Sequence, residues 1–302
     1  MANLKEVRTR IESVNSTKQI TSAMKMVAAS KLRKSQNAIL ALRPYAEKFS
    51  EIMATAMSSE QQSMGNDKTR CIQVFSETRE GGRVLIIPLS SNKGLCGVFN
   101  ANVIRSTVNL INEEFMPCLN ANKLDILCIG SKAEETLNYK KYPVIGNENA
   151  LLDDLTYENA ANFAERLMKY FEDGKYDKIV FVYNQFKNAA TQVLVTEQFL
   201  PISQSLETQN TATTQNTDFI FQPDKDEILD TMVPKSLRLQ VYKILLDSYA
   251  SEQGARMISM TQATDNATEL IKELNLSYNK ARQSAITNEL VEIVSGADAL
   301  KG

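Results

Sequence analysis

The sequence contains no histidine. That absence removes His-based catalytic triads, histidine-ligated zinc and haem, and the commonest general base of enzymes. Chain-breakers are scarce too, with 11 glycines and 7 prolines among 302 residues, and such a chain leans toward helix. The four cysteines, Cys71, Cys96, Cys118 and Cys128, form no CxxC pair and no metal-ligand spacing, which fits reduced thiols of an intracellular protein. No uncharged apolar run approaches the roughly 18 residues that a membrane-crossing helix needs. No charge of one sign dominates: 34 Lys and Arg meet 36 Asp and Glu, a net of −2, so nucleic-acid binding through bulk charge is not expected. The first residues, MANLKEVRTR, hold no apolar signal core, and Glu6 and Glu12 argue against a transit peptide. The chain is expected to work where it is made.

What is present is unevenly spread. Residues 1–43 carry nine basic and two acidic side chains, a net of +7, while 235–302 balance and 44–234 come to −9. A basic start joined to an acidic centre suggests separate partners for the two regions, and composition alone suits a solvated helix surface equally well.

Residues 1–43 contain neither glycine nor proline. Apolar side chains at Leu4, Val7, Ile11 and Val14 alternate by three and four, the spacing of a coiled-coil seam. The seam is then expected to slip by one residue to Thr17, Ile20, Met24 and Val27, locally changing the winding of the supercoil, among small residues at Ala23, Ala28, Ala29 and Ser30. From Lys235 to Ser295 the only breaker is Gly254. There, Met260, Ala263, Ala267, Leu270 and Leu274 repeat the spacing, and Ile271, Tyr278, Ala281 and Ala285 continue it. Helices of roughly 65 and 90 Å cannot bury themselves and need each other, so an antiparallel pairing of the two chain ends is expected.

The centre reads differently. Segments 84–88, 124–129, 179–183 and 193–196 are short apolar runs of strand character, separated by helical periodicity at 99–115, 131–140 and 156–173. Alternating strands and helices predict a small α/β domain with a largely parallel sheet. Thr156 begins a helix-start pattern. Residues 203–217 are polar and low in complexity, and are expected to form a mobile surface loop.

Chemistry is hard to find. There is neither a phosphate-binding P-loop nor a dinucleotide glycine fingerprint. The glycine-containing loop Ser90–Gly97 after the first strand could approach a phosphate at a helix N-terminus, or could simply be a tight turn. Cys96 lies in it without an obvious base. Asp153-Asp154 and Asp224-x-Asp226-Glu227 could hold a hard cation, although acidic residues also favour helix N-termini. Met24, Met26, Met257 and Met260 could form an adaptable surface; seam packing is the simpler reading, preferred for Met260.

Three blocks carry a resemblance. The run from Ile11 through Val14, Thr17, Ile20, Thr21, Ala23 and Met24 to Lys31 resembles the N-terminal helix of the F-type ATP synthase gamma subunit family, bacterial type. Arg256-Met257, Asp265-Asn266-Ala267 and Tyr278 through Ala297 resemble its C-terminal helix, and Lys93-Gly94-Leu95-Cys96-Gly97-x-Phe99-Asn100 is similar to its mid-chain signature. The blocks stand in the family's order and frame the whole chain. Asn92 and Val98 depart from it, standing where the family often has an acidic residue and a glycine. No cysteine-bearing insert of the chloroplast kind is present.

The resemblance implies a fold of two long terminal helices, paired antiparallel around an inserted Rossmann-like α/β domain. Its parts would be 1–58, 70–221 and 223–302. It implies a non-catalytic rotor shaft with no cofactor, turned by the membrane c-subunit ring at the cytoplasmic face of a bacterial inner membrane. Its partners would be the alpha and beta subunits and the epsilon subunit, with no nucleic acid and no membrane insertion. Arg282, Gln283, Thr287, Glu289, Arg256 and Met24 would meet a beta subunit. Leu4, Val7, Ile11, Val14, Leu270, Ile271, Leu274 and Tyr278 would form the seam. Periodicity alone would also suit a coiled-coil scaffold with an α/β head.

Overall fold

The computed structural model describes residues 4–61, 74–77, 79, 82–189, 191–202 and 225–299. Cys71, Asp224 and the polar stretch 203–217 lie outside these residues, as do the side chains of Asp226 and Glu227. The chain divides into two compact units, Lys31–Ala255 and Met1–Ser30 with Arg256–Gly302. Two long helices, α1 (Leu4–Gln61) and the last helix (Lys225–Ala299), each contribute to both.

In the central unit the elements run β1 (Val84–Pro88), α2 (Phe99–Glu113), α3 (Met116–Asn120), β2 (Leu124–Cys128), α4 (Ser131–Tyr139), β3 (Val144–Asn147), α5 (Ala150–Asp153), α6 (Tyr157–Glu172), β4 (Lys178–Phe186) and β5 (Gln192–Leu200). The last helix is therefore α7. The sheet has the order β3-β2-β1-β4-β5, parallel except for β5, which returns antiparallel to β4.

Both faces of the sheet are covered, which is why its strands are continuous apolar runs. Val84, Ile86, Ile126, Cys128, Val180 and Val182 point to one face and pack with Val103 and Ile111 of α2 and Leu137 of α4. Leu85, Ile87, Leu127, Phe181 and Phe199 point to the other, against Phe163, Leu167 and Phe171 of α6 and Val233, Leu237, Val241 and Ile244 of α7. Each such side chain contributes about 1.5–3 kcal/mol relative to exposure. Thr156 caps α6 as its sequence suggests, accepting from the Asn159 amide. Gly254 has a packing reason: a Cβ there would come within 3.1 Å of the Ala189 carbonyl oxygen in the β4–β5 turn.

Two elements escape the sequence reading. β3 is short, ends on Gly146 and Asn147, and alternates half-buried with exposed positions, so it carries no apolar run. β5 is nine residues long rather than four; its outer half, with the successive Val193 and Leu194 both exposed, is thinly covered on both faces.

In the terminal unit, residues 4–30 of α1 pair with α7 from Arg256 to about Ala285. Thr21 and Thr264 meet hydroxyl to hydroxyl at 2.9 Å. Their pairing sets the antiparallel register, in which Leu4 falls level with about Ala281.

The inward side of α1 corrects the expected slip. Val7 is buried and Ile11, Val14, Lys18, Thr21 and Lys25 are half-buried, followed by buried Ala28, Leu32 and Ser35. That is an unbroken three–four alternation. Thr17 is exposed, and Ile20 and Val27 are 60% and 57% exposed. The apolar residues slip; the seam does not. Two seam places hold lysines, whose hydrocarbon stems can lie along the interface while their ammonium groups reach water. On α7, Met260 and Ala267 are buried and Thr264, Ile271, Leu274, Tyr278, Ala281 and Ala285 half-buried, in the same alternation. Leu4, three residues before Val7, is half-buried as the first member of the α1 alternation, and Leu270 is half-buried beside the α7 one.

Candidate functional site

The glycine-containing loop lies where a doubly wound sheet usually binds ligands, at the carboxyl end of β1 where the strand order reverses. Here the loop is filled by its own side chains. Ser90 Oγ donates to the Gly130 carbonyl and accepts from the Ala133 amide at 2.9 Å, and the Ser131 amide donates to Asn92 Oδ1. The Gly130 amide donates to Asn149 Oδ1 at 2.8 Å. The N-terminus of α4, the obvious phosphate cradle, is thus occupied by protein acceptors. Asn100 closes the loop: Oδ1 accepts from the Ser91 amide, while Nδ2 contacts Ser91 Oγ and Cys96 Sγ.

The departure at Asn92 has a role in this network. Its amide accepts from Ser131 while Nδ2 donates to the Asn149 carbonyl and to Asp153, and a carboxylate could not make those donations. Val98 stands at the N-cap of α2, 66% exposed, beside Leu95, which holds a left-handed φ of 63° and is 64% exposed.

Cys96 and Cys128 are buried and Cys118 is half-buried. Burial, and secondarily the charge of Glu134, pushes the Cys128 thiol up to about 12, far from the thiolate form a nucleophile needs. Among the described residues no cluster of acidic and thiol groups could hold a metal ion. Asp153 ends α5 rather than starting a helix, while Asp154 sits two residues before Thr156 and accepts from Asn159 Nδ2.

A different surface stands out on α7. Beyond Ala285 every residue to 297 is exposed, including Ile286 at 50%, Leu290 and Val291 at 57%, Ile293 at 67% and Val294 at 59%. In the register set by Thr21 and Thr264, this stretch runs past the level of Leu4. Arg282, Gln283, Thr287 and Glu289 are exposed on the same length of helix. At about 100° per residue, the four share one broad face with Ile286, Leu290 and Ile293. The Thr287 hydroxyl donates to the Gln283 carbonyl at 2.9 Å and is spoken for within the helix. Arg256 and Met24 are half-buried toward the other end of the terminal unit, away from those four. The fold therefore brings four of the six contact candidates together and leaves two apart.

The apolar stretch from Ile286 to Val294 lies inside the C-terminal block Tyr278 to Ala297, but it was not among the expected contact residues. Its signal was available, since LVEIV lies beyond the seam's last small residue and keeps no single inward face. A band of this sort exposed to water marks a surface made for a partner.

Comparison with known proteins places these features in a family. The sequence pattern of the family described as ATP synthase is matched over residues 3–300. The ATP synthase gamma chain of Flavobacterium johnsoniae is 50% identical over 302 residues, covering all of both chains. Among solved structures, a chain of the Euglena gracilis mitochondrial ATP synthase (OSCP/F1/c-ring, rotational state 3) superposes with a TM-score of 0.65 at 20% identity. It covers 98% of this chain and 94% of its own. A chain of the Tetrahymena thermophila mitochondrial ATP synthase central stalk and c-ring has a TM-score of 0.54 at 24% identity, over 81% of this chain and 99% of its own.

Proposed function

Because the chain belongs to the ATP synthase gamma chain family, we propose that it is the central shaft of a bacterial ATP synthase, a non-catalytic subunit. The observation that carries this reading is the exposed end of α7. A helix that outruns its partner and keeps five large apolar side chains in water needs an enclosing, largely apolar surface. In this reading that surface belongs to the ring of alpha and beta subunits around the paired helices.

In this reading the paired helices transmit rotation and the α/β unit is the base, in contact with the epsilon subunit and the membrane c ring. The shaft's surface is uneven: on α1, Ile20 and Val27 face outward as apolar groups, whereas Lys18 and Lys25 lie at the seam. Turning an uneven shaft presents a different face to each beta subunit in succession, forcing the catalytic sites through their states in order. The forked guanidinium of Arg282 suits a carboxylate on a beta-subunit loop, and Gln283 beside it can add a neutral hydrogen bond. Such contacts must form and break with each turn, so exposed, individually modest groups serve better than a buried anchor. No described helix is long and apolar enough to cross a membrane, consistent with peripheral attachment at the cytoplasmic face of the inner membrane.

Co-expression of the tagged chain with the alpha and beta subunits of a close relative tests this. The expected result is a stable assembly with one copy of the chain per hexamer. Recovery only as a homodimer, with no alpha or beta subunit bound, would favour a scaffold and overturn the reading.

A further inference from the structure

One stretch of the central sheet is left partly uncovered on the face that meets α6. Parallel pairing there sets Leu127 of β2 beside Gly146 of the edge strand β3, with Asp125 two residues earlier on β2 and therefore on the same face. Gly146 has no side chain, and a Cβ built on it would meet only the tip of Leu127, at 3.9 Å. Opposite this floor α6 presents Phe163, Arg166, Leu167 and Tyr170, at the three–four spacing of one helix face. Between floor and helix lies a cavity of about 540 Å³, within the range of small-molecule sites.

The polar groups of the cavity are unequally committed. At one end the Tyr176 hydroxyl donates to Asp125 Oδ2 at 2.9 Å. Arg83 stands 3.9 Å from that same oxygen, beyond hydrogen-bond range, so its forked donors stay available. Lys175 Nζ lies 4.3 Å from the centre of the Tyr170 ring and 5.5 Å from that of Tyr176, and among the described residues it forms no ion pair. At the other end Arg166 is engaged, with Nη1 2.7 Å from Glu148 Oε1. Three cations against two carboxylates leave one positive charge, and it sits at the Arg83 and Lys175 end.

We infer that this cavity is a binding site for a small aromatic carboxylate. The acid group is held by the Arg83 fork and the Lys175 ammonium through charge-assisted hydrogen bonds. The flat ring fills the hollow that Gly146 leaves beside Leu127, against Phe163 and Leu167 of α6. A monoanion matches the single unbalanced charge, whereas a dianion would add a negative charge facing Asp125 and Glu148. The site is separate from the self-filled loop after β1 and does not depend on the rotor reading.

Calorimetric titration of the full chain with 2-naphthoate tests the site. Two further probes separate its parts: 2-naphthamide keeps the rings without the charge, and acetate keeps the charge without the rings. Naphthoate is expected to bind one per chain, at least about tenfold more tightly than either. Lys175→Met and Arg83→Met should each weaken naphthoate about tenfold and leave naphthamide unchanged. Gly146→Leu places a side chain in the hollow and should abolish naphthoate binding while the unfolding midpoint stays near that of the natural chain. No binding of naphthoate, equal binding of naphthoate and naphthamide or acetate, or full binding by folded Gly146→Leu would each overturn the inference. Should Gly146→Leu not fold, the two cation variants decide, because both side chains lie at the surface. Unchanged naphthoate affinity in both contradicts the site.

Discussion

Gly130→Ala is expected to destabilise the central unit by about 4 kcal/mol. Gly130 holds a φ of +102°, where an L side chain is strained, and that strain alone costs on the order of 1–3 kcal/mol. A Cβ there would also run into the backbone carbonyl of Ser90, which cannot move aside as a flexible side chain could. Ser90 itself is tied to the Gly130 carbonyl and the Ala133 amide, so any shift breaks the link between β1 and the start of α4. Overpacking of that kind adds about 1–3 kcal/mol. Gly94→Ala in the neighbouring loop is the control, since a Cβ there meets nothing within 4 Å. Denaturant unfolding of both variants checks the expectation: a large loss at Gly130 with little change at Gly94. Equal stability of the two would show that the strand-end network is not rigid.

The double substitution Arg282→Ala with Gln283→Ala is expected to slow ATP turnover of the assembled complex several-fold while leaving the isolated chain's thermal stability unchanged. Both side chains are exposed, so the folded chain loses little when they go. Ala281 and Ala285, the adjacent seam positions, keep their packing. An arginine that grips a carboxylate only in the complex would be felt in turnover instead. Steady-state hydrolysis by complexes of equal subunit composition is the test. An unchanged rate would return these residues to an ordinary solvated helix face.

The contrast between those two sites explains what was legible in the sequence. The α/β alternation was plain because a sheet covered on both faces must be written in apolar runs, as in VLIIP and IVFVY. The helix ends were plain because breakers are missing for long stretches. The course of the seam on α1 was not legible. Lys18, Thr21 and Lys25 occupy inward places while Ile20 and Val27 face out, so residue identity and burial disagree over two heptads. A chain whose outer surface must also meet partners carries two apolar patterns at once, and periodicity alone cannot separate them. β3 was hidden for the opposite reason, an edge strand of four residues with too little buried surface to leave a mark. The Tyr183–Glu197–Gln240 cluster could not be read at all. It exists only because antiparallel β5 returns Glu197 beside Tyr183 and α7 crosses that same face.

The most direct test of the shaft is to watch it turn. With the hexamer fixed to a surface through its beta subunits and a probe attached to the chain's central unit, ATP should drive one-way rotation of the probe. Rotation should be slower with the Arg282 and Gln283 variant. Sustained ATP hydrolysis with a stationary probe would contradict the account.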